Sequence, residues 1–332
     1  MRVCLIASSR FPVREPFMGG MEAHTHALAL ELIARGHEVS VFAAPGSDPR
    51  LRARELRPSG RAHLELMVGL SQHTFGHFDV VHNNSLHHQA VAKSGLLDVP
   101  VLTTLHTPPV PWLESAAPLS APDSAFVAVS DHVSQAWSHA VRSRTIHNGV
   151  DPALWGFGPG GARAVWSGRI VPEKAPHEAI LACLLAGVGL DIAGPVHDRA
   201  YFETHVRPHL SESVRYRGHL GTTELRDLVR TSAVALVTPR WAEPFGLVAA
   251  EAMSCGTPVA GYDAGAMSEV VDTSSGRLAP EGDVEALARC IPEAMRLSRR
   301  AARSRVERHF SHARMVDAYE SAYRELAAGR GL

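Results

Sequence analysis

The stretch AVALVTPRWAEPFGLVAAEAMSCGTPVAGY, residues 233–262, decides the fold of this chain. It opens on an apolar run, AVALVTP (233–239), of the length of a buried strand, and closes on another, TPVAGY (257–262). Between them the sequence predicts a helix opening at Pro244, because proline suits a first helical turn and disrupts later ones. Strand, helix and strand in that order form a βαβ unit. The helix returns the chain across the sheet, so the two strands lie parallel.

The same alternation extends outward. Upstream, AVWSGRI (164–170), GLDIAG (189–194) and SVRYRG (213–218) read as strands with helices between them; downstream, residues 283–328 are mostly helical. Farther toward the N-terminus come VCLIA (3–7), EVSVFAA (38–44), DVVHNN (79–84), PVLTTLH (100–106) and SAFVAVS (124–130). The segment MEAHTHALALELIARG (21–36) is a helix stopped by Gly36. The alternation pauses at RTIHNGVDPALWGFGPGGAR (144–163), where four glycines fall within 156–161 and a domain boundary is expected. The expected fold class is therefore α/β, with two Rossmann-like parallel-sheet domains, 1–150 and 151–310, facing a cleft where a ligand would lie.

Composition narrows the function. A chain of 332 residues accommodates two domains of about 150 residues each. A formal net charge of −1 gives no global attraction for nucleic acid or anionic membrane. No apolar run is long enough for a transmembrane helix, and MRVCLIASSRFPV reads as a first strand rather than a secretory signal. The cysteines, at 4, 183, 255 and 290, show no CxxC spacing, so neither a disulfide framework nor a zinc site is expected; a cytoplasmic location fits. The segment RLRARELRPSGR (50–61) sets five arginines against one acid. It reads as a solvated loop or, alternatively, as a surface drawn to an acidic acceptor or a lipid headgroup in peripheral contact. Most of the 20 histidines are expected at the surface or satisfied in the core.

The opening stretch also carries chemistry. Ligands of parallel α/β domains gather at the carboxyl ends of the strands. There the backbone N–H groups of Phe245, Gly246 and Leu247 would open a helix, whose N-terminus favours anions and hydroxyl oxygens. Glu243 and Glu251 flank it, about 12 Å apart if all residues between were helical. That is too far to share a proton or a metal. Each carboxylate can accept from both hydroxyls of a vicinal diol, so two separated acids suit a transferred sugar and a nucleotide ribose. SGRIVPEK (167–174) places Arg169 and Lys174 after another strand, where a planar fork and a point charge suit diphosphate oxygens.

With these residues in view, the chain resembles the retaining glycosyltransferases of family 4, which have the GT-B fold, over nearly its whole length. MGGMEAHTHALALELIARGHEVSVF (18–42) is similar to that family's first loop and helix, and HNGVD (147–151) to its interdomain segment. SGRIVPEK resembles its phosphate-binding loop and EPFGLVAAEAMSCGTPV (243–259) its two-glutamate motif. Two departures stand out. Ala175 and Pro176 follow Lys174 where the family usually has glycine, and AGAMSEVV (264–271) differs from the usual wording while keeping Glu269.

The resemblance implies that Arg169 and Lys174 hold the donor diphosphate, approached from the other domain by Gly19 and Gly20. It implies that Glu243 binds sugar hydroxyls with backbone support from Phe245, Gly246 and Leu247, and that Glu251 binds the ribose. His106 would lie beside the transferred sugar, and YRGHL (216–220), through His219 and Leu220, would meet the base. His106, Arg169, Lys174 and Glu243 are thus the expected catalytic set. Residues 311–332 would form a C-terminal helix packing back on the N-terminal domain.

The implied activity is transfer of a hexosyl unit from a nucleotide diphosphate sugar, UDP being the family's commonest, to a hydroxyl of a small-molecule, glycan or lipid acceptor. The anomeric configuration would be retained by front-face departure and attack. Charge stabilisation by Arg169, Lys174 and the helix dipole would require neither metal nor cofactor. A nucleotide-sugar epimerase of the same fold and a non-enzymatic sugar-nucleotide binding protein remain as alternatives. A dinucleotide oxidoreductase is disfavoured, because SSRFPVREPFMGG (8–20) after the first strand is not a GxGxxG loop.

Overall fold

The computed structural model describes residues 1–332 as two compact units, Met1–His147 with Met315–Leu332, and Asn148–Arg314. In the first unit, strands β1 (Arg2–Ile6), β2 (Glu38–Ala43), β3 (Arg54–Glu55), β4 (Val80–Asn83), β5 (Val101–Leu105), β6 (Ala125–Ala128) and β7 (Ser143–Thr145) pair in the order β3-β2-β1-β4-β5-β6-β7. All these pairings are parallel, with Arg2 opposite Glu38 and Val3 opposite Val80 in register.

Side chains of a strand alternate between faces, and here both faces are covered. Val3, Leu5 and Ala7 enter one core with Leu28 and Leu32 of the helix Gly20–Ala34; Cys4 and Ile6 enter the other with Leu66, Met67 and Leu70 of the helix Gly60–Ser71. The helix His312–Ala327 closes the first core with Met315, Val316, Tyr319, Tyr323 and Leu326. Ion pairs hold it at the rim, Arg35 to Asp317 at 2.6 Å and Arg144 to Glu325 at 2.8 Å, and His37 Nε2 hydrogen-bonds Glu320 at 2.8 Å.

The second unit repeats the plan with β8 (Ala164–Ser167), β9 (Leu190–Ala193), β10 (Val214–Tyr216), β11 (Val234–Val237), β12 (Val259–Tyr262) and β13 (Gly276–Ala279). Their order is β10-β9-β8-β11-β12-β13, again all parallel. This is the doubly wound order 3-2-1-4-5-6. It reverses direction between β8 and β11, and the crevice beyond the strand ends at that reversal is where such folds take ligands.

One sequence expectation needs correction here. The helix after β11 spans Leu247–Ser254 and does not begin at Pro244. Gly246 is its N-cap and lies in the left-handed region at φ +92°, a conformation that breaks the helix on its N-terminal side. Residues 240–246 therefore form a loop that carries Glu243.

Candidate functional site

The loops following β8 and β11 meet at the reversal point and are stitched together. The Trp166 indole Nε1 donates to Thr238 Oγ1 at 3.0 Å, and the Thr238 hydroxyl donates to the carbonyls of Lys174 (2.9 Å) and Ala175 (3.1 Å). The Arg240 amide donates to the Glu173 carbonyl at 2.8 Å. Ala175 itself sits in the left-handed region at φ +43°, where a side chain costs about 1–2 kcal/mol relative to the right-handed form. The loop thus keeps the bend for which glycine is the usual residue. The turn after β9 comes so close that a Cβ on Gly194, at φ +141°, would collide with the Gly168 carbonyl.

These stitches bring Lys174 onto Glu243: Nζ lies 2.5 Å from Oε2. The Trp241 indole Nε1 donates to the same oxygen at 3.1 Å, and the Lys174 ammonium sits 5.0 Å from the centre of the Trp241 ring. Lys174, Trp241 and Glu243 form one packed group in which cation, ring and carboxylate fix one another. Behind it, the Ala266 amide donates to the Glu243 carbonyl at 2.8 Å. Gly265, at φ +64°, lies against the Glu243 backbone, and a Cβ there would collide with it. The segment AGAMSEVV therefore serves as the floor beneath Glu243.

Arg169 is held only loosely, 3.9 Å from Glu173, and is partly exposed at the mouth of the same loops. Phe245 is buried and packs edge-on against Phe310, so its ring is committed to the core. Leu247 opens the helix, whose first N–H groups have no intrahelical acceptor. Glu251 lies farther along the same helix, and burial pushes its carboxyl up to about 8. His219 is exposed and Leu220 half-buried in the loop after β10, which is tied down by Tyr216, its hydroxyl donating to the Gly194 carbonyl at 2.7 Å.

Gly19, Gly20 and His106 belong to the first unit. Gly19 is extended at φ −167° and precedes Gly20, the first residue of the helix Gly20–Ala34. His106 follows β5, is buried, and lies edge-on to His24 of that helix with ring centres 5.0 Å apart. Its Nε2 is 2.9 Å from Asn84 Oδ1, and burial, with His24 and His82 nearby, holds the imidazole well below its usual range. Trp241, Thr238, Gly265 and Asn84 were not singled out from the sequence. Of these, only Gly265 left a trace there, in the AGAM wording.

Comparison with known proteins bears on this arrangement. Residues 18–154 match the family model described as Glycosyltransferase Family 4, and residues 155–308 match Glycosyl transferases group 1. The chain is 29% identical to a glycogen synthase of Mycobacterium tuberculosis, covering 100% of this chain and 96% of that protein. It is 28% identical to a D-inositol 3-phosphate glycosyltransferase of Saccharomonospora viridis, covering 99% and 95% respectively. In fold it is similar to Anabaena HepE, solved in complex with UDP-glucose, at a TM-score of 0.78 and 19% identity, over 98% of this chain and 100% of that one.

Proposed function

This chain belongs to the family 4 glycosyltransferases of the GT-B fold, and from that premise we propose that it moves a hexosyl unit from UDP-sugar to an acceptor hydroxyl with retention of configuration. The observation that carries the reading is the convergence at the β8/β11 reversal of a fixed Lys174–Trp241–Glu243 group, a loosely held Arg169 and the N-terminus of a helix bearing Glu251. Arg169, Lys174 and the helix N-terminus take the diphosphate and stabilise its charge as it leaves. Glu243 accepts from sugar hydroxyls and Glu251 from the ribose diol. The UDP-glucose bound to HepE supports a uridine donor. With the leaving charge met by cationic side chains and backbone N–H groups, binding needs no divalent ion.

Calorimetry with UDP and GDP in the presence of a chelator, followed by a panel of nucleotide sugars, tests this. UDP is expected to bind without metal, and one UDP-sugar to be turned over. An absolute magnesium requirement would overturn the metal-independent part, and absence of turnover with every donor would overturn the enzymatic reading.

A further inference from the structure

The interior of the first unit holds a polar chain that its fold does not need. His82, Asn84, Thr104, Tyr319 and Tyr323 are all fully buried, between β4, β5 and the helix His312–Ala327. Apolar residues of similar size would close that core without the desolvation of five polar side chains. The chain has a direction. Tyr323 lies 2.6 Å from His82 Nδ1, and Asn84 Nδ2 lies 3.3 Å from the same nitrogen. With a hydroxyl and an amide N–H both donating to it, Nδ1 is bare and the proton of neutral His82 sits on Nε2, which donates to Thr104 Oγ1 at 2.7 Å. Asn84, with its Nδ2 committed to His82, turns Oδ1 to His106 Nε2 at 2.9 Å. An amide oxygen only accepts, so His106 carries its proton on Nε2.

We propose that Asn84, held by His82 and Tyr323, is a positioning residue that fixes the tautomer of His106, leaving Nδ1 as a bare acceptor for a hydroxyl of the substrate. This rests on the glycosyltransferase reading, which gives His106 a substrate to meet. The groups facing His106 are His24 from the helix Gly20–Ala34, His82 from β4 and, beyond His24, Tyr319 from the helix His312–Ala327 at 5.8 Å between ring centres. None of these groups is an acid that would draw a second proton onto the ring. A hydroxyl that donates to His106 is recognised by geometry and not by charge, so this contact adds no pH dependence of its own across the neutral range.

Nitrogen-15 NMR of histidine-labelled wild-type protein tests the tautomer directly, and its outcome does not depend on any activity. His106, assigned by loss of its signals in His106→Gln, is expected as the Nε2–H tautomer from pH 6 to 9. An Nδ1–H tautomer, or an even mixture, overturns the proposal. Asn84→Asp tests the consequence for transfer. The carboxylate still accepts from Nε2–H but draws a second proton onto the ring. The variant is therefore expected to gain an acid limb in kcat/KM on top of the pH dependence of wild type, its ratio to wild type falling about tenfold per pH unit below the new pKa and approaching one at pH 9. The same limb should be missing in the double variant with His106→Gln. A loss of activity equal at every pH would mark a merely structural role and overturn the proposal. If Asn84→Asp does not fold, Tyr323→Phe serves: it is expected to mix the His106 tautomers in the NMR spectrum, and an unchanged pure tautomer counts against the network. Failure of wild type to turn over any nucleotide sugar would instead defeat the glycosyltransferase reading and leave the tautomer result standing.

Discussion

Glu251 is a carboxyl held far from its ordinary chemistry. Burial is the sole cause that raises its carboxyl to about 8, with no charge or hydrogen bond in the protein to offset it. At neutral pH it is mostly protonated. A ribose diol donating two hydrogen bonds favours the ionised form, so nucleotide binding should expel a proton and strengthen as pH rises toward 8, by up to about tenfold per unit. The sign for folding is opposite. The folded state holds a proton that the unfolded carboxyl releases near 4.5, so stability falls as pH rises from there to about 8. Titration calorimetry of UDP between pH 6 and 8.5 reads the binding effect, and Glu251→Gln should flatten the difference; identical pH profiles for variant and wild type would refute the ribose assignment. Both glutamates stand out in the sequence because they bracket a helix start, but nothing there told that Lys174 would close on Glu243. That contact depends on Thr238 joining two loops 64 positions apart in the chain. Asn84 and Tyr323 were equally silent, since a polar residue in a buried strand or helix carries no periodic signal of what it will meet across 241 positions.

At the level of elements, the helix Arg299–His309 works through its arginines. Arg299 donates to the carbonyls of Gly158 (3.3 Å), Arg230 (3.0 Å), Ser232 (3.0 Å) and Cys255 (3.1 Å) and to the Thr257 hydroxyl (3.2 Å). Arg303 donates to Ser254 at 2.8 Å, and Arg305 to Glu269 and Val270 at 2.7 and 2.6 Å. Apart from Gly158, which lies in the loop before β8, these carbonyls lie at or just past the C-terminal ends of the helices Thr222–Arg230, Leu247–Ser254 and Met267–Val270. Carbonyls there have no intrahelical partner and carry the negative end of the dipole, so a cation satisfies both needs. One of the three is the helix whose other end faces the candidate site. Arg299→Met should remove a donor from four carbonyls, of which Arg230 and Cys255 keep the backbone N–H of Gly160 and Gly158, and lower stability by about 2–4 kcal/mol, read as a fall in unfolding temperature; a change below about 0.5 kcal/mol would show that water replaces the arginine without loss. The sequence announced this helix but not its duty. It also announced the apolar strands while missing β3, β7 and β13. Those are partly polar, as in Ser143–Thr145 and Gly276–Ala279, and so owe their pairing to neighbours already in place.

On the scale of the whole molecule, two doubly wound sheets with the same reversal of strand order follow from a repeated strand–helix alternation, which is why the fold was the most legible property of the chain. No helix is long and apolar enough to cross a membrane. The chemistry of His106, Glu243 and Glu251 decides the expected stereochemistry. An inverting transfer wants a base near neutral pKa on the face opposite the leaving group, and His106 is held too far below that range to serve well. A double displacement through the enzyme wants an ionised carboxylate free to attack. Glu243 is engaged by Lys174 and Trp241, and Glu251 is mostly protonated at neutral pH. Departure and attack on the same face, with the leaving diphosphate drawing the acceptor proton, needs neither group. Transfer from an α-linked donor should therefore give an α-linked product, read from the anomeric proton coupling by NMR. His106→Gln should lower the rate without removing a limb from the pH profile. A β-linked product, or loss of one limb together with a fall of about 10²–10⁴ in rate, would make His106 a general base and the transfer inverting.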